Sequence, residues 1–253
     1  MSGQDAYVVA QEMPASAARH FQVPFHYLVY AERGTMTLES GGRRWTLPPA
    51  RAGLVAAGHG VQVALPRPVT ICSALFAPDF APPPPAPLAV FEMSGLAREL
   101  LFSLRGFGEA VPLDDYARPM FRALAAAAWR LSERPTPAVM PVPESPQVAR
   151  ALALTEAGLD EALSFEGIAG QVVATPRTLA RRFMSDIGMT WREAQRRLRM
   201  IRAVELLSET PLPVTEVAMA TGYSSLSAFN AAFRDFTGQT PTVYRAGVRS
   251  AEG

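Results

Sequence analysis

The chain has 253 residues, 49% of them hydrophobic, and carries 24 basic against 23 acidic side chains. It has room for two modest cores, and its overall charge predicts no polyanion partner. A single cysteine, Cys72, excludes an internal disulfide, and no stretch approaches the roughly 18 apolar residues of a membrane helix.

The N-terminal MSGQDAYVVAQEMPA lacks the basic start and long apolar core of a secretory signal. A cytoplasmic protein with no membrane partner is expected. The distribution of charge says more than its sum. Residues 1–145 balance 12 Arg against 12 acids. Residues 146–176 sum to −3 (1 − 4), residues 177–202 to +6 (8 − 2) and residues 203–253 to −2 (3 − 5). One basic island thus stands in a neutral or acidic protein. All its cations are Arg, whose planar fork suits phosphates and guanine edges.

From about 6 to 77 the pattern is one of short strands. FHYLVYA, GTMTLES, RRWTL, GLVAA, VQVAL and VTICSALF are rich in Val, Leu, Thr and aromatics, with Gly and Pro between them. Gly41-Gly42 is a two-residue hairpin signal. Six or more such strands predict a small antiparallel barrel or jelly roll, with Cys72 as a buried thiol. APDFAPPPPAPLA is expected to end the sheet, because proline supplies no ladder donor. Two helices follow. SGLARELLFSLRGF repeats Leu96, Leu100, Leu101 and Leu104, and LDDYARPMFRALAAAAWRLSE puts Met120, Phe121, Leu124, Ala128 and Leu131 on one side. Such stripes pack on their own domain or form a dimer seam. RPTPAVMPVPESP has five prolines in thirteen residues and reads as a semi-rigid linker. The expected organisation is a barrel over 1–90, helices over 91–133, a linker over 134–146 and an all-helical domain over 147–253.

The last segment carries two similar units. SFEGIAGQVVATPRTLARRF reads as a short helix, a turn and a second helix with Thr175 as N-cap and Pro176 at its first position. Leu179 and Phe183 face inward there, while Arg177, Arg181 and Met184 point away and Ala180 sits at the edge. VTEVAMATGYSSLSAFNAAF repeats the pattern, with Phe229, Ala232, Phe233 and Phe236 inward and Ser227, Ala231 and Arg234 outward, flanked by Leu226 and Asn230. Ile168-Ala169 matches Val217-Ala218 at an offset of 49, and Phe183, Gly188 and Thr190 match Phe233, Gly238 and Thr240 at 50. Two tandem helix-turn-helix motifs follow from this repeat. A connecting helix of about 28 Å, at 1.5 Å per residue, sits close to the roughly 34 Å turn of B-DNA. It carries Arg192, Arg196, Arg197, Arg199 and Arg202, some expected on phosphates and others in solvated pairs with Glu193 and Glu205.

These residues resemble the AraC/XylS family of bacterial transcription regulators. Its closing signature is similar to Val217-Ala218, Gly222-Tyr223, Ser225, Phe229, Phe233, Phe236, Gly238, Thr240-Pro241 and Tyr244-Arg245. The first half is matched by Arg177-Thr178-Leu179, Arg181, Phe183, Gly188 and WREAQRRLR. One departure is Val173-Ala174 in the first turn, where the family commonly has Gly. The resemblance implies a regulator that binds double-stranded DNA through Arg177, Ala180, Arg181, Arg182, Leu226, Ser227, Asn230, Ala231 and Arg234. It further implies an activator or dual regulator with RNA polymerase, a small-molecule effector and a second copy of the chain as partners. The aromatics of the second unit are expected in the core rather than stacked on bases. The N-terminal run is similar, more loosely, to the cupin-like barrel of these regulators, with His26, Tyr30 and Trp45 as pocket candidates. The fold class expected is therefore multi-domain α+β. The three histidines, His20, His26 and His59, include no H-x-H pair, so no metal, cofactor or catalytic residue is expected. A cupin-fold enzyme would need clustered acid, base or ligand groups, and a protein-interaction module would not need outward arginines at a repeat spacing.

Overall fold

Period-two alternation builds the first half of the chain. The computed structural model describes residues 4–49, 51–161 and 163–249. Two units emerge: Met1–Ser40, Trp45–Thr136 and Ala246–Gly253 form one, Gly41–Arg44 and Pro137–Arg245 the other.

Nine strands precede the first helix: β1 (Ala6–Met13), β2 (Ser16–Phe21), β3 (His26–Arg33), β4 (Met36–Ser40), β5 (Arg43–Leu47), β6 (Arg51–Val55), β7 (Val61–Leu65), β8 (Val69–Phe76) and β9 (Leu88–Glu92). One antiparallel sheet runs β1-β8-β3-β6-β9, and a second contains β5-β4-β7-β2. Gly41 and Gly42, at φ 54° and 68°, supply the two left-handed positions of a tight hairpin between β4 and β5. The proline run does not end the sheet. Beyond it the chain returns as β9 and pairs with β6 from Arg51↔Glu92 to Val55↔Leu88, the prolines lying in the connection. β1 and β2 also extend the sheets ahead of the six strands read from sequence.

The first sheet is packed on both faces. Leu28, Tyr30, Leu54, Ala74 and Phe76 join one core cluster with α1 (Gly95–Ser103) and α2 (Ala117–Ser132), which contribute Leu101, Phe121, Leu124 and Ala128. Leu96, expected in the α1 stripe, is 68% exposed. The buried positions of that helix are Ala97, Arg98 and Leu101, a stripe rotated so that an arginine goes inside. On the other face, Tyr27, Val29, Ile71 and Leu75 meet Met36, Leu38 and Val63 of the second sheet around a cavity of about 310 Å³. Cys72 is fully buried, and burial holds its thiol above the usual range.

The second unit begins in the proline-rich segment. Ala138 and Met140, the latter in β10 (Val139–Pro141), are buried in its core cluster. The backbone N–H groups of Glu144 and Ser145 donate to the Asp186 carboxylate at 2.9 and 3.0 Å. Then come α3 (Pro146–Ala157), α4 (Phe165–Gln171), α5 (Pro176–Ile187), α6 (Trp191–Glu209), α7 (Val214–Ala220), α8 (Leu226–Thr237) and α9 (Pro241–Arg249).

The internal repeat is visible in the element boundaries. α4 and α7 begin 49 residues apart, α5 and α8 begin 50 apart, and both recognition-type helices stop at a left-handed glycine, Gly188 (φ 68°) and Gly238 (φ 77°). The second turn therefore holds one more residue than the first. At the offset of 49, Val173 (φ 53°) is the counterpart of Gly222 (φ 76°). Val173 tolerates a left-handed backbone because its side chain is 89% exposed. Gly222 has no such freedom: a Cβ there would collide with the Leu159 carbonyl oxygen and lie 2.6 Å from Arg199 Nη2. Val173→Asn is expected to stabilise the protein by about 0.5–1 kcal/mol, since Asn adopts the left-handed region more readily than a β-branched residue. Gly222→Ala is expected to cost more than about 2 kcal/mol through both strain and collision. Urea unfolding midpoints of the two variants check the pair.

Candidate nucleic-acid interface

The first outward face is set by how α5 is held. Thr175 Oγ1 accepts from the Thr178 N–H at 3.2 Å, and Pro176 opens the helix. Leu179, Phe183 and Ile187 are buried. Phe183 meets the Phe165 ring edge-on, and Phe165 stacks at 5.3 Å on Trp191, whose indole N–H donates to Thr155 Oγ1 at 2.8 Å. The opposite side leaves Arg177, Ala180, Arg181 and Met184 exposed. Arg182 differs, being half-buried with Nη1 shielded and unpartnered.

α8 repeats the arrangement with aromatics. Ser225 caps it, and Phe229 and Phe233 are fully buried. Ring contacts run Tyr223–Phe229–Phe233–Tyr244 at 5.6, 5.8 and 5.5 Å, tying the turn, α8 and α9 together. Phe236 is half-buried and packs instead on the core cluster of the first repeat. Leu226, Ser227, Ala231 and Arg234 are exposed, and Asn230 is half-buried.

α6 joins the two motifs. Its N-terminus closes in a capping box: Glu193 Oε2 accepts from the Thr190 N–H at 2.7 Å, and Thr190 Oγ1 accepts from the Glu193 N–H at 3.3 Å. The Thr190 backbone bond is the chief reason the Glu193 carboxyl lies below its ordinary pKa. Glu193 is thus a cap rather than the arginine partner expected of it. The helix's arginines are mostly committed to the fold. Arg196 pairs with Asp235 of α8 at 2.8 Å, Arg197 donates to the Val139 carbonyl at 3.0 Å, and Arg202 pairs with Glu205 at 3.0 Å. Arg199 lies 5.7 Å from the Tyr223 ring centroid. Arg192 is exposed and, among the described residues, has no ion-pair partner. It lines a groove of about 720 Å³ together with Ala180 and Met184 of α5 and Gln195 of α6. The outward cations are accordingly Arg177, Arg181, Arg192 and Arg234.

The barrel candidates lie elsewhere. His26 is buried on the helix side of its sheet, with Nδ1 accepting from the Ala57 N–H at 3.0 Å and its ring edge-on to Trp129. Tyr30 faces the same way, and Trp45 is buried in β5. None of the three lines the cavity between the sheets. Alternation in HYLVYAER already put Tyr27 and Val29 on a common face, but both faces are apolar and nothing local marks the inner one. Among the described residues no three His, Cys, Asp or Glu side chains cluster, and no helix is long and apolar enough to cross a membrane.

Two motifs with one buried and one polar face define a helix-turn-helix regulator of transcription. Residues 168–247 match the family described as "Helix-turn-helix domain". The chain is 28% identical over 223 residues to the HTH-type transcriptional regulator NimR of Escherichia coli K12, covering 87% of this chain and 79% of that protein. It is 30% identical over 169 residues to the ornithine utilization regulator of Pseudomonas aeruginosa, covering 66% of this chain and 49% of that protein. A solved AraC-type DNA-binding regulator from Chromobacterium violaceum is 33% identical over 40% of this chain and 90% of its own, with a TM-score of 0.39. The chain belongs to the AraC-type family of DNA-binding transcription regulators, through its C-terminal helix-turn-helix region. These relatives are regulators, not enzymes.

Because Phe233 touches both Phe229 and Tyr244, Phe233→Ala is expected to cost about 3–5 kcal/mol. Urea unfolding followed by circular dichroism measures that loss.

Proposed function

We propose that the chain is an effector-responsive regulator whose α5 and α8 enter successive major grooves on one side of a DNA duplex. The observation that carries this reading is the repeat itself: α5 and α8 bury equivalent faces and leave the polar ones exposed. α6, with 19 residues, spans about 28 Å at 1.5 Å per residue, near the roughly 34 Å of one duplex turn.

In this reading Arg177, Arg181 and Arg182 serve phosphates and guanine edges. Ala180 and Ala231 permit close approach, Leu226 meets a thymine methyl, and Ser227 and Asn230 reach base edges. Arg234 adds one phosphate contact. The first helix supplies affinity and salt dependence, and the second supplies discrimination. The N-terminal unit is a cupin-like sensor. Its apolar cavity, with Tyr7 and Tyr27 as polar-tipped walls, suits a small, largely apolar effector, whose binding changes how the regulator acts on RNA polymerase. A second copy of the chain, joined through the 91–133 region, completes the proposal.

Gel shifts with poly-dI·dC competitor test DNA recognition: retained signal supports the reading, and full competition removes it. Arg181→Ala is expected to weaken operator binding and to flatten the slope of log K against log salt by about one unit, since each phosphate contact contributes roughly 0.9. Leu226→Ala is expected to leave that slope unchanged. An unaltered slope in Arg181→Ala would defeat the role given to α5.

A further inference from the structure

The helix-facing side of the first sheet holds a pocket of about 420 Å³ that the regulator reading leaves unused, lined by Tyr30, Glu32, Arg33, Arg98, Phe102 and Arg105. Its floor is unusual. Arg98 is only 4% exposed, its Nε has no hydrogen-bond partner, and no carboxylate among the described residues pairs with it. Glu32, the acid of this lining, is already held by Arg105 at 2.7 Å. Three arginines less one glutamate leave a formal +2 (3 − 1) around the space.

A buried guanidinium without a counter-charge is costly, and native proteins pair such groups with an acid or a ligand. The protein's own acids leave Arg98 unpaired. Tyr30 stands beside Arg98, and burial keeps its phenol protonated, so its hydroxyl is available as a donor. Arg105 lies 4.4 Å over the face of Phe102, which leaves an aromatic wall next to the cations. Guanidinium forks match planar carboxylates and phosphates in two-point contact, and an aromatic wall suits an organic body rather than a bare ion.

We propose that this pocket is a binding site for a small organic anion, a carboxylate or phosphate ester, neutralised by Arg98 with Arg33 at the mouth. The site is distinct from the apolar cavity on the opposite face of the same sheet. It does not rest on the DNA-binding reading, because it is tested on the protein alone.

The experiment is a melting curve and calorimetric titration of the full chain with benzoate, inorganic phosphate and phenyl phosphate. Neutral benzamide and chloride at matched ionic strength are the controls. A melting temperature raised by several degrees with any of the three anions, and not with the controls, supports the site. Benzoate alone identifies a carboxylate ligand, and either phosphate compound alone a phosphate ligand. No shift with all three, or an equal shift with chloride or benzamide, overturns it. Arg98→Met is expected to abolish the anion shift. Arg33→Gln, at an exposed position, is expected to weaken binding at least five-fold while leaving the ligand-free melting temperature unchanged. Anion affinity unaltered in Arg33→Gln and in any Arg98→Met protein that folds overturns the assignment, and weaker binding in either variant supports it.

Discussion

One-sided burial of two short helices governs the C-terminal unit. α5 and α8 have twelve residues each, too few to be stable alone in water, so each exists only because its apolar stripe is packed. Leu179 and Phe183 fix α5; Phe229 and Phe233 fix α8. At about 100° per residue, fixing one stripe also fixes which side chains remain outside. The composition of the outer face is therefore a consequence of the core. The aromatics of α8 are spent on anchoring, and none of Phe229, Phe233 or Tyr244 is free to stack on a base.

Charge distribution needs the structure to be interpreted. The sequence concentrates its cations between 177 and 202, and it is natural to read the whole island as a polyanion surface. The fold divides it. Arg196, Arg197 and Arg202 hold α8, β10 and the helix's own Glu205, while Arg199 packs beside Tyr223 and the Gly222 turn. Exposed pairs such as Arg196–Asp235 contribute about 0–1 kcal/mol each. Their use here is positional, since they fix α8 and α6 in one arrangement. What faces outward is a smaller set centred on α5, so the contrast between a cationic first helix and a nearly neutral second one survives the loss of most connector arginines.

Much of the second unit was legible because several local signals agreed. Thr175-Pro176, Thr190 with Glu193, and the glycines 188 and 238 all mark ends, and the offsets of 49 and 50 locate the extra residue in the second turn. The first unit was less legible for physical reasons. Proline composition shows where a strand cannot run, and says nothing about the chain resuming as β9 after APDFAPPPPAP. A nine-residue helix such as α1 offers too few turns to settle its stripe. Leu96 looked inward, whereas packing turned the helix so that Ala97, Arg98 and Leu101 entered the core. Linker composition was similarly blind to Ala138 and Met140, which the second unit buries.

The same alternation that hid the inner face of the barrel explains why two chemically different spaces share one strand. β3 runs HYLVYAER, apolar on both sides through Tyr30. Tyr27 and Val29 turn toward the dry cavity, while Tyr30 and Glu32 turn toward the cationic pocket. Neighbouring residues thus line opposite faces with a single backbone between them. A sheet buried on both faces cannot shift by one residue without exchanging its entire set of contacts, so neither space can be reshaped by sliding β3. Either can change only by moving what packs above it: the second sheet over the cavity, or α1 with its buried arginine over the pocket. That separation lets one rigid sheet present an apolar space and a charged one without either spoiling the other.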